Sequence, residues 1–213
     1  MKKHRVFLAI AILIFAVATY VLGWSTFFTV SAVQIQGTNA YMSSSVVIGE
    51  KLARVEPRAV AAEFEKISWI KSAQVSRNWI SGKVTITLTE RIPVAIYNDR
   101  AIDAEGVSFP VPAQNPENLP RIQSATIGSA ISAATFFVEL PKEIASAVTL
   151  IKVRSGESYV LEIIDGTKSL EVIWGQNEEN VLKAKVYKAL LAQPENSKIH
   201  RLDLTAPHAP IVK

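Results

Sequence analysis

Between Ser68 and Asn78 the chain carries side chains that could perform acyl transfer. Ser68 and Lys71 form a Ser-x-x-Lys motif, and Ser76 and Asn78 form a Ser-x-Asn motif. Acyl-transferring serine enzymes place such a serine at the start of a long helix and a Lys-Thr-Gly on a facing strand. Here only eight positions separate the two serines, and the sequence contains no Lys-Thr-Gly. The spacing therefore predicts that Ser68 lies in a turn before a strand, without a nucleophilic role.

Other catalytic chemistry finds little support in the sequence. The three histidines, His4, His200 and His208, lack the spacing with one another or with a carboxylate pair that a metal site requires. The chain has no cysteine, which excludes disulfides, thiol nucleophiles and cysteine-ligated zinc. We therefore predict that the protein is not an enzyme and has no catalytic, cofactor or metal site.

The N-terminal segment is strongly apolar. Residues 6–22, VFLAIAILIFAVATYVL, carry no charge. As a helix they would extend about 26 Å, close to the roughly 30 Å of a bilayer core. Lys2, Lys3 and Arg5 precede this run, and the positive-inside rule places such a cluster in the cytoplasm. We predict a cytoplasmic tail over 1–5 and a transmembrane helix over 6–27 in contact with membrane lipid, in the cytoplasmic (inner) membrane, with the remainder extracytoplasmic.

A cleavable signal peptide is the alternative interpretation of this segment. Ala16-Val17-Ala18 provides a small-x-small cleavage motif after an apolar core of suitable length. The apolar run continues past that motif as far as Leu22, which favours a retained anchor. Mass spectrometry of the mature protein distinguishes the two, because a species beginning near Thr19 would contradict the anchor.

The charge balance argues against a nucleic-acid partner. The chain has 23 basic and 19 acidic residues, a net charge of +4. Without Lys2, Lys3 and Arg5 the count is 20 against 19, so no basic face remains to bind phosphates. Arg77, Trp79 and Arg91 could be interpreted as part of a single-strand-binding surface. The neutral balance favours a packing role for them instead.

Hydrophobic periodicity predicts an α+β unit after the apolar segment. A strand is expected over 28–37, followed by a short helix over 43–52 with a serine N-cap. Pro57 suits the first turn of a second helix, and Val60, Phe64 and Ile67 would form its buried stripe. Two strands follow, the second with strict alternation of apolar residues and threonines over 84–89. The expected order is strand, helix, helix, strand, strand.

The rest of the chain predicts a mainly antiparallel β domain with flanking helices. A helix is expected over 129–139, and strands over 150–154, 158–164 and 168–174, with a hairpin turn at Asp165-Gly166. Asn177 is expected to cap a helix over 178–192. A last strand over 199–204 leads into a proline-punctuated tail.

Several stretches now resemble a known family. FFTVSAVQIQGTNAYMSSSVVIGEKL follows the apolar segment, and WIKSAQVSRNWISGKVTITLTERIPVAIY and AIDAEGVSF come next. The order is similar to that of the FtsQ/DivIB family of bacterial cell-division proteins. The family's Arg-x-Trp-Pro and Glu-Arg-x-Pro-x-Ala elements correspond to Arg77–Ile80 and Glu90–Ala95, with Ile80 replacing the proline. The resemblance implies a POTRA domain over 28–97 and a β domain over 98–213.

The resemblance also implies a function. Family members are non-catalytic scaffolds enriched at the division septum. Their β domain binds FtsB-like or DivIC-like and FtsL-like proteins, and their POTRA and transmembrane regions contact the septal peptidoglycan synthase complex. In the family the last strand of the β domain accepts a partner strand by β-augmentation. Carried onto this sequence, the partner-binding residues would be Ile199, His200, Arg201, Leu202, Asp203, Leu204, Ala206, Ile211 and Val212.

A POTRA-bearing export or membrane-insertion factor is the alternative. Such a protein would carry several POTRA copies or a following barrel of alternating strands about ten residues long. This sequence has one POTRA-like stretch and too few residues for a barrel. A division scaffold is therefore the favoured hypothesis.

Overall fold

The computed structural model describes residues 2–23, 28–112, 119–165 and 168–213. The chain divides into two compact units, and the division falls between Arg91 and Ile92. We expected the boundary after Tyr97. It falls earlier because residues 93–97 form a strand that pairs within the second unit.

The first helix, α1, spans Lys2–Gly23. Its large apolar side chains are exposed, among them Phe7 at 80% and Phe15 at 76%. Over the ranges that the structure describes, none of the helices is both long enough and apolar enough to cross a membrane. The transmembrane helix expected over 6–27 is therefore not confirmed, and residues 24–27 lie outside the described ranges.

The first unit contains a three-stranded sheet and one helix. Its elements are β1 (Ala32–Gln36), α2 (Pro57–Glu65), β2 (Ile70–Arg77) and β3 (Lys83–Glu90). The strand order is β1-β3-β2, with β1 parallel and β2 antiparallel to the central strand β3. Val60 and Phe64 of α2 are buried in the core, as the periodicity predicted. The third residue of the predicted stripe, Ile67, lies beyond the end of the helix at Glu65 and is half-buried.

The helix expected over 43–52 does not form, so that prediction was wrong. Val46, Val47 and Ile48 are consecutive β-branched residues, which lowers helix propensity, and Gly49 follows with a φ of +90°. The segment instead pairs with the chain before β1: the Val30 N–H donates to the Glu50 carbonyl at 2.8 Å. The unit therefore has one helix against its sheet, where we expected two.

Two glycines with similar backbone angles provide a test of packing in this unit. Gly37 has a φ of +91°, and a Cβ there would lie 2.0 Å from the Leu88 carbonyl oxygen. Gly49 has a φ of +90°, and a Cβ there would meet nothing within 4 Å. Because both substitutions carry the same left-handed strain, the difference between them isolates the steric clash.

We expect Gly37→Ala to lower the free energy of unfolding by about 1–3 kcal/mol more than Gly49→Ala. Urea unfolding of the two variants, followed by circular dichroism, measures that difference. Equal losses in the two variants would contradict the close approach of Gly37 to β3.

The second unit contains a nine-stranded sheet with helices. Its elements are β4 (Pro93–Tyr97), β5 (Arg100–Asp103), β6 (Ser108–Pro110), β7 (Arg121–Gln123), α3 (Ile127–Glu139), α4 (Lys142–Ala145), β8 (Val148–Arg154), β9 (Ser158–Asp165), β10 (Lys168–Gly175), α5 (Asn180–Leu191), a 3-10 turn (Pro194–Lys198), β11 (Arg201–Asp203) and β12 (Ile211–Val212). The strand order is β12-β11-β10-β9-β8-β7-β4-β5-β6. Neighbours are antiparallel except for the β4/β7, β7/β8 and β10/β11 pairs.

Aromatic residues form the centre of the core of the second unit. The ring of Phe136 on α3 stacks on Tyr159 of β9 at 4.1 Å between centroids. Trp174 on β10 lies 6.5 Å from Phe136, and its Nε1 donates to Asn180 Oδ1 at 2.8 Å. Because Asn180 begins α5, this hydrogen bond fixes the start of α5 against the sheet.

The structure confirms the helix expected over 129–139, as α3, and the three strands β8, β9 and β10. Asp165 pairs with Lys168 across the β9–β10 hairpin, and Gly166 lies outside the described residues. The capping role expected of Asn177 was wrong, because Glu179 occupies the N-cap position of α5. Asn177 instead accepts a hydrogen bond from the Asn180 side chain at 2.7 Å.

Candidate protein-docking edge

The two ends of the nine-stranded sheet are the strands β12 and β6. Edge strands carry backbone groups that have no partner within the sheet, so either end could accept an added strand. We call β11, β12 and the turn between them, residues 201–213, the terminal edge.

The terminal edge is anchored from β10. Arg201, Leu202 and Asp203 of β11 pair in parallel with Glu171, Val172 and Ile173. The parallel order requires a crossover, which α5 provides. Leu202 and Leu204 are fully buried in the core of the second unit. Burial of these two leucines fixes which face of β11 points inward, and therefore fixes its register.

A short turn carries the chain from β11 back along itself. Asp203 Oδ1 accepts hydrogen bonds from the Thr205 N–H at 2.9 Å and the Thr205 hydroxyl at 2.6 Å. The Ala209 N–H donates to the Ala206 carbonyl at 2.9 Å, and Pro207 between them is buried. The turn therefore holds β12 next to β11 by its own hydrogen bonds.

The hydrogen bonds of β12 decide which of its groups face outward. Arg201 and Lys213 exchange two backbone hydrogen bonds, each of 3.0 Å, so they are a hydrogen-bonded antiparallel pair. Such pairs alternate with non-bonded ones, so the pair of Leu202 with Val212 is non-bonded. The N–H and C=O of Val212 therefore point away from β11, as does the C=O of Pro210. Only Val212 offers both a donor and an acceptor on this side.

The outer face next to the edge carries a row of charged side chains. Glu171 Oε1 lies 3.4 Å from Arg201 Nε, and Glu171 Oε2 lies 3.9 Å from Lys152 Nζ. Exposed pairs of this kind contribute little to stability, about 0.2–1 kcal/mol. Their effect is to hold Arg201 on the sheet, next to the exposed Lys213. The outer face at the terminal edge therefore carries both signs of charge, with Arg201 and Lys213 as cations and Asp203 and Glu171 as anions.

The opposite end of the sheet is partly blocked. In β6 the Ser108 carbonyl faces away from β5, because the Asp103 N–H bonds Val107 and the pairs alternate from there. That carbonyl accepts a hydrogen bond from Arg100 Nη2 at 2.8 Å, and Pro110 has no N–H to offer. The terminal edge is therefore the better place for an added strand.

The residues predicted from the sequence fall into different positions. Arg201, Leu202 and Asp203 form β11, and Ile211 and Val212 form β12. The remaining predicted residues lie beside these strands: Ile199 and His200 before β11, Leu204 after it, and Ala206 in the turn. We expected the open edge to run from Ile199 to Leu204 and on to Val212. Within that range β10 and β12 flank β11 on both sides, and β12 lies at the edge. Sequence reasoning missed Lys213, for which a two-residue strand after Pro210 leaves no periodic signal.

The groups considered for catalysis are not assembled into a site. Ser68 lies in the turn after α2, as predicted, and its carbonyl accepts a hydrogen bond from Arg91 Nε at 3.1 Å. His4, His200 and His208 are exposed. No group of three or more His, Asp or Glu side chains that could hold a metal ion is found within the described parts of the chain.

Lys183 of α5 is a buried cation near the terminal edge. The residue is 1% exposed, and its Nζ donates to the Gln176 carbonyl at 2.9 Å. Burial lowers the pKa of Lys183 below its ordinary value, and the nearby Glu178 and Glu179 partly oppose this shift. The lysine thereby fixes the connection between β10 and α5, the crossover that precedes β11.

We expect the stability of the protein to rise with pH in the alkaline range because of Lys183. The folded state releases this proton at a lower pH than the unfolded chain, so the unfolded chain binds more protons below about pH 10.5. Lys183→Met, which removes the titrating group, should flatten this slope. Urea midpoints of both proteins between about pH 8 and 10 measure the effect. Parallel curves would contradict it.

The fold and the open edge together define a two-domain protein, in which a POTRA-type α+β domain precedes a β-rich domain. The family model "POTRA domain, FtsQ-type" matches residues 28–91, and the model "Cell division protein FtsQ/DivIB, C-terminal" matches residues 91–205. The chain belongs to the FtsQ/DivIB family of cell division proteins.

Curated relatives agree with this assignment over most of the chain. The cell division protein FtsQ of Streptomyces venezuelae is 30% identical, over 93% of this chain and 79% of that protein. FtsQ of Streptomyces bingchenggensis is 29% identical, over 91% of this chain and 79% of that protein. FtsQ of Streptomyces coelicolor is 28% identical, over 96% of this chain and 86% of that protein.

Proposed function

We propose that this protein is a non-catalytic scaffold of the division machinery, which binds a partner strand at its terminal edge. The partner is an FtsB-like or DivIC-like protein, together with an FtsL-like protein. Membership of the FtsQ/DivIB family supports the cell-division role. The main support for the docking site is Val212, whose N–H and C=O both face away from β11. Burial of leucines in the core fixes the register of β11.

The side chains around the edge favour a particular partner strand. A strand added beside β12 would pair with Val212 and could also donate to the Pro210 carbonyl. The exposed Lys213, which follows Val212 directly, favours an acidic side chain in the partner segment through charge complementarity. We propose an extended segment flanked by Asp or Glu.

The proposal includes membrane attachment and contact with septal peptidoglycan synthesis. The uncharged run over 6–22, the preceding basic residues and the exposed apolar side chains of α1 support attachment of the N-terminal segment to the cytoplasmic membrane. The first unit and the N-terminal segment then contact the synthase complex, while the second unit binds the partner strand. Resistance to alkaline carbonate extraction tests membrane attachment.

A fluorescent fusion imaged in dividing cells tests the proposed function. The cells contain the fusion as their only copy of the protein. The expected result is that the fusion is enriched at the septum and that division requires it. A uniform peripheral signal, with normal division in cells lacking the protein, would contradict the proposal. A fusion carrying a disrupted terminal edge separates recruitment from partner binding, since the POTRA-type unit and α1 remain unchanged.

A further inference from the structure

The first strand of the POTRA-type unit, β1, has an edge that no other strand covers. It pairs only with β3, and the Asn78 N–H donates to the Lys83 carbonyl at 2.8 Å. The odd-numbered residues of β3 therefore face β2, and the even-numbered ones face β1. In the parallel register, Val33 and Ile35 lie opposite even-numbered residues and turn their N–H and C=O groups away from β3. No hydrogen bond found among the described residues outside the strand pairing uses these groups.

The chain already adds a segment to the same edge just before β1. The Val30 N–H donates to Glu50, the Gly49 N–H donates to Val30, and the Leu52 N–H donates to Phe28, at 2.8, 2.8 and 3.0 Å. Residues 49–52 thus pair in the antiparallel direction with residues 28–30 and stop there. The open part of the edge, Val33 and Ile35, begins where this segment ends.

A cleft of about 430 Å³ that is lined without charged residues adjoins the open part of the edge. Its walls include Val33 and Ile35 of β1, and Met42, Val46 and Ile48 from the segment after Gly37. Ile48 is 68% exposed, although it is large and apolar. None of the nine lining residues carries a charge. Outward backbone groups and an uncharged wall with several apolar side chains therefore lie side by side.

One backbone group on the other edge of this sheet is capped. Ala73 of β2 faces away from β3, and its N–H donates to Glu65 Oε1 at 3.1 Å. A side-chain acceptor at an edge strand blocks pairing with another chain. The Ala73 N–H is therefore closed to an added strand, whereas the N–H groups of Val33 and Ile35 are not.

We propose that the open β1 edge, Val33 to Ile35, and its cleft bind an extended, uncharged segment of another protein with apolar side chains at alternate positions. Its backbone pairs with Val33 and Ile35, and its alternate side chains enter the cleft. The site lies in the first unit and does not depend on the terminal edge. It would be a second docking point, separate from the terminal edge near Val212.

A second copy of this chain fits the edge less well. Pairing two β1 strands about a two-fold axis keeps the core faces of both sheets on the same side. Residues 40–48 of both copies would then lie at the joint on that side, in the space that each cleft needs. The usable overlap would also stop at residue 32, because residues 28–30 are already paired.

Hydrogen exchange of the Val33 and Ile35 amides in the full-length protein tests the proposal. The probe is an acetylated and amidated heptapeptide of alternating valine and threonine, and the control peptide has proline at every second position. We expect the valine–threonine peptide to slow exchange at both amides by about tenfold, and the proline peptide to have no effect. Ile48→Glu, which places a charge in the cleft, should abolish the protection.

Val47→Glu is the matched control variant, because Val47 is 64% exposed and does not line the cleft. It should retain the protection. Failure of the valine–threonine peptide to protect the wild-type amides up to its solubility limit would overturn the proposal. Equal protection in Ile48→Glu would overturn it too. Protection that rises with protein concentration in the absence of peptide would contradict the proposed partner. It would show that a second copy of this chain occupies the β1 edge. Septal enrichment does not enter these readouts, so they fail or succeed independently of the proposed function.

Discussion

Phe136→Ala is expected to lower the free energy of unfolding of the second unit by about 3–5 kcal/mol. Phe136 is fully buried on α3, stacks on Tyr159 at 4.1 Å and contacts the ring of Trp174. Truncation removes the apolar contacts of a whole ring and leaves a cavity between α3, β9 and β10. Those strands continue through the sheet into β11, so the loss also reaches the terminal edge.

Val138→Ala on the same helix is the matched control. Val138 is 50% exposed, so its truncation should change the free energy of unfolding by no more than about 0.5 kcal/mol. Urea unfolding of the full-length protein, followed by the near-ultraviolet dichroism of its tryptophans, measures both variants. The POTRA-type unit has a separate core and should keep its own transition. A loss in Phe136→Ala as small as in the control would contradict the central role of the aromatic cluster.

Val212→Pro is expected to weaken binding of the partner strand by about tenfold or more while leaving the fold intact. Proline removes the one outward N–H of the terminal edge and places a ring where a partner strand must approach. The hydrogen bonds between Arg201 and Lys213 do not use that N–H, and Ile211 is already extended as a residue before proline must be. Titration calorimetry with the extracytoplasmic domain of the FtsB-like or DivIC-like partner measures the effect.

Two further variants separate docking from folding. Val212→Thr keeps the N–H and the β-branch, so it should bind as the wild type does. Ile211→Pro removes an N–H that faces β11, so it should detach β12 and abolish binding together with local order. Deletion of residues 207–213 is less informative, because it uncovers β11 at the same time. Wild-type affinity in Val212→Pro would remove β12 from the docking site.

Strong periodic signals in the sequence predicted the elements that form the cores. The alternation over 84–89 and the stripe of Val60 and Phe64 gave the correct strand and helix, because these side chains are buried on one face. The serine N-cap signal in the segment over 43–52 predicted a helix that does not form. In the structure Val30 pairs with Glu50, and Gly49 has a left-handed backbone conformation. Hydrophobic periodicity predicts neither of these features.

The candidate site was predictable only in outline. The resemblance to the family pointed to residues 199–204 and on to Ala206, Ile211 and Val212, and β11 and β12 lie within that range. The strand with outward-facing backbone groups is β12. It has only two residues, which are too few to show a hydrophobic period. The hydrogen-bond register between β11 and β12 decides which N–H faces outward. The local sequence of a two-residue strand does not predict that register.

The pairing of β1 with β3 has a consequence for the rate of folding. Ala32 pairs with Lys83, whereas the β2–β3 hairpin joins neighbouring segments. Bringing β1 to β3 closes the longer loop. This closure costs more chain entropy before stabilising contacts form. We therefore expect the hairpin to form before the transition state and β1 to join after it. In stopped-flow measurements Ile86→Ala should slow folding, whereas Val33→Ala should mainly speed unfolding. The last strand to join would thus be the one whose outer edge stays open.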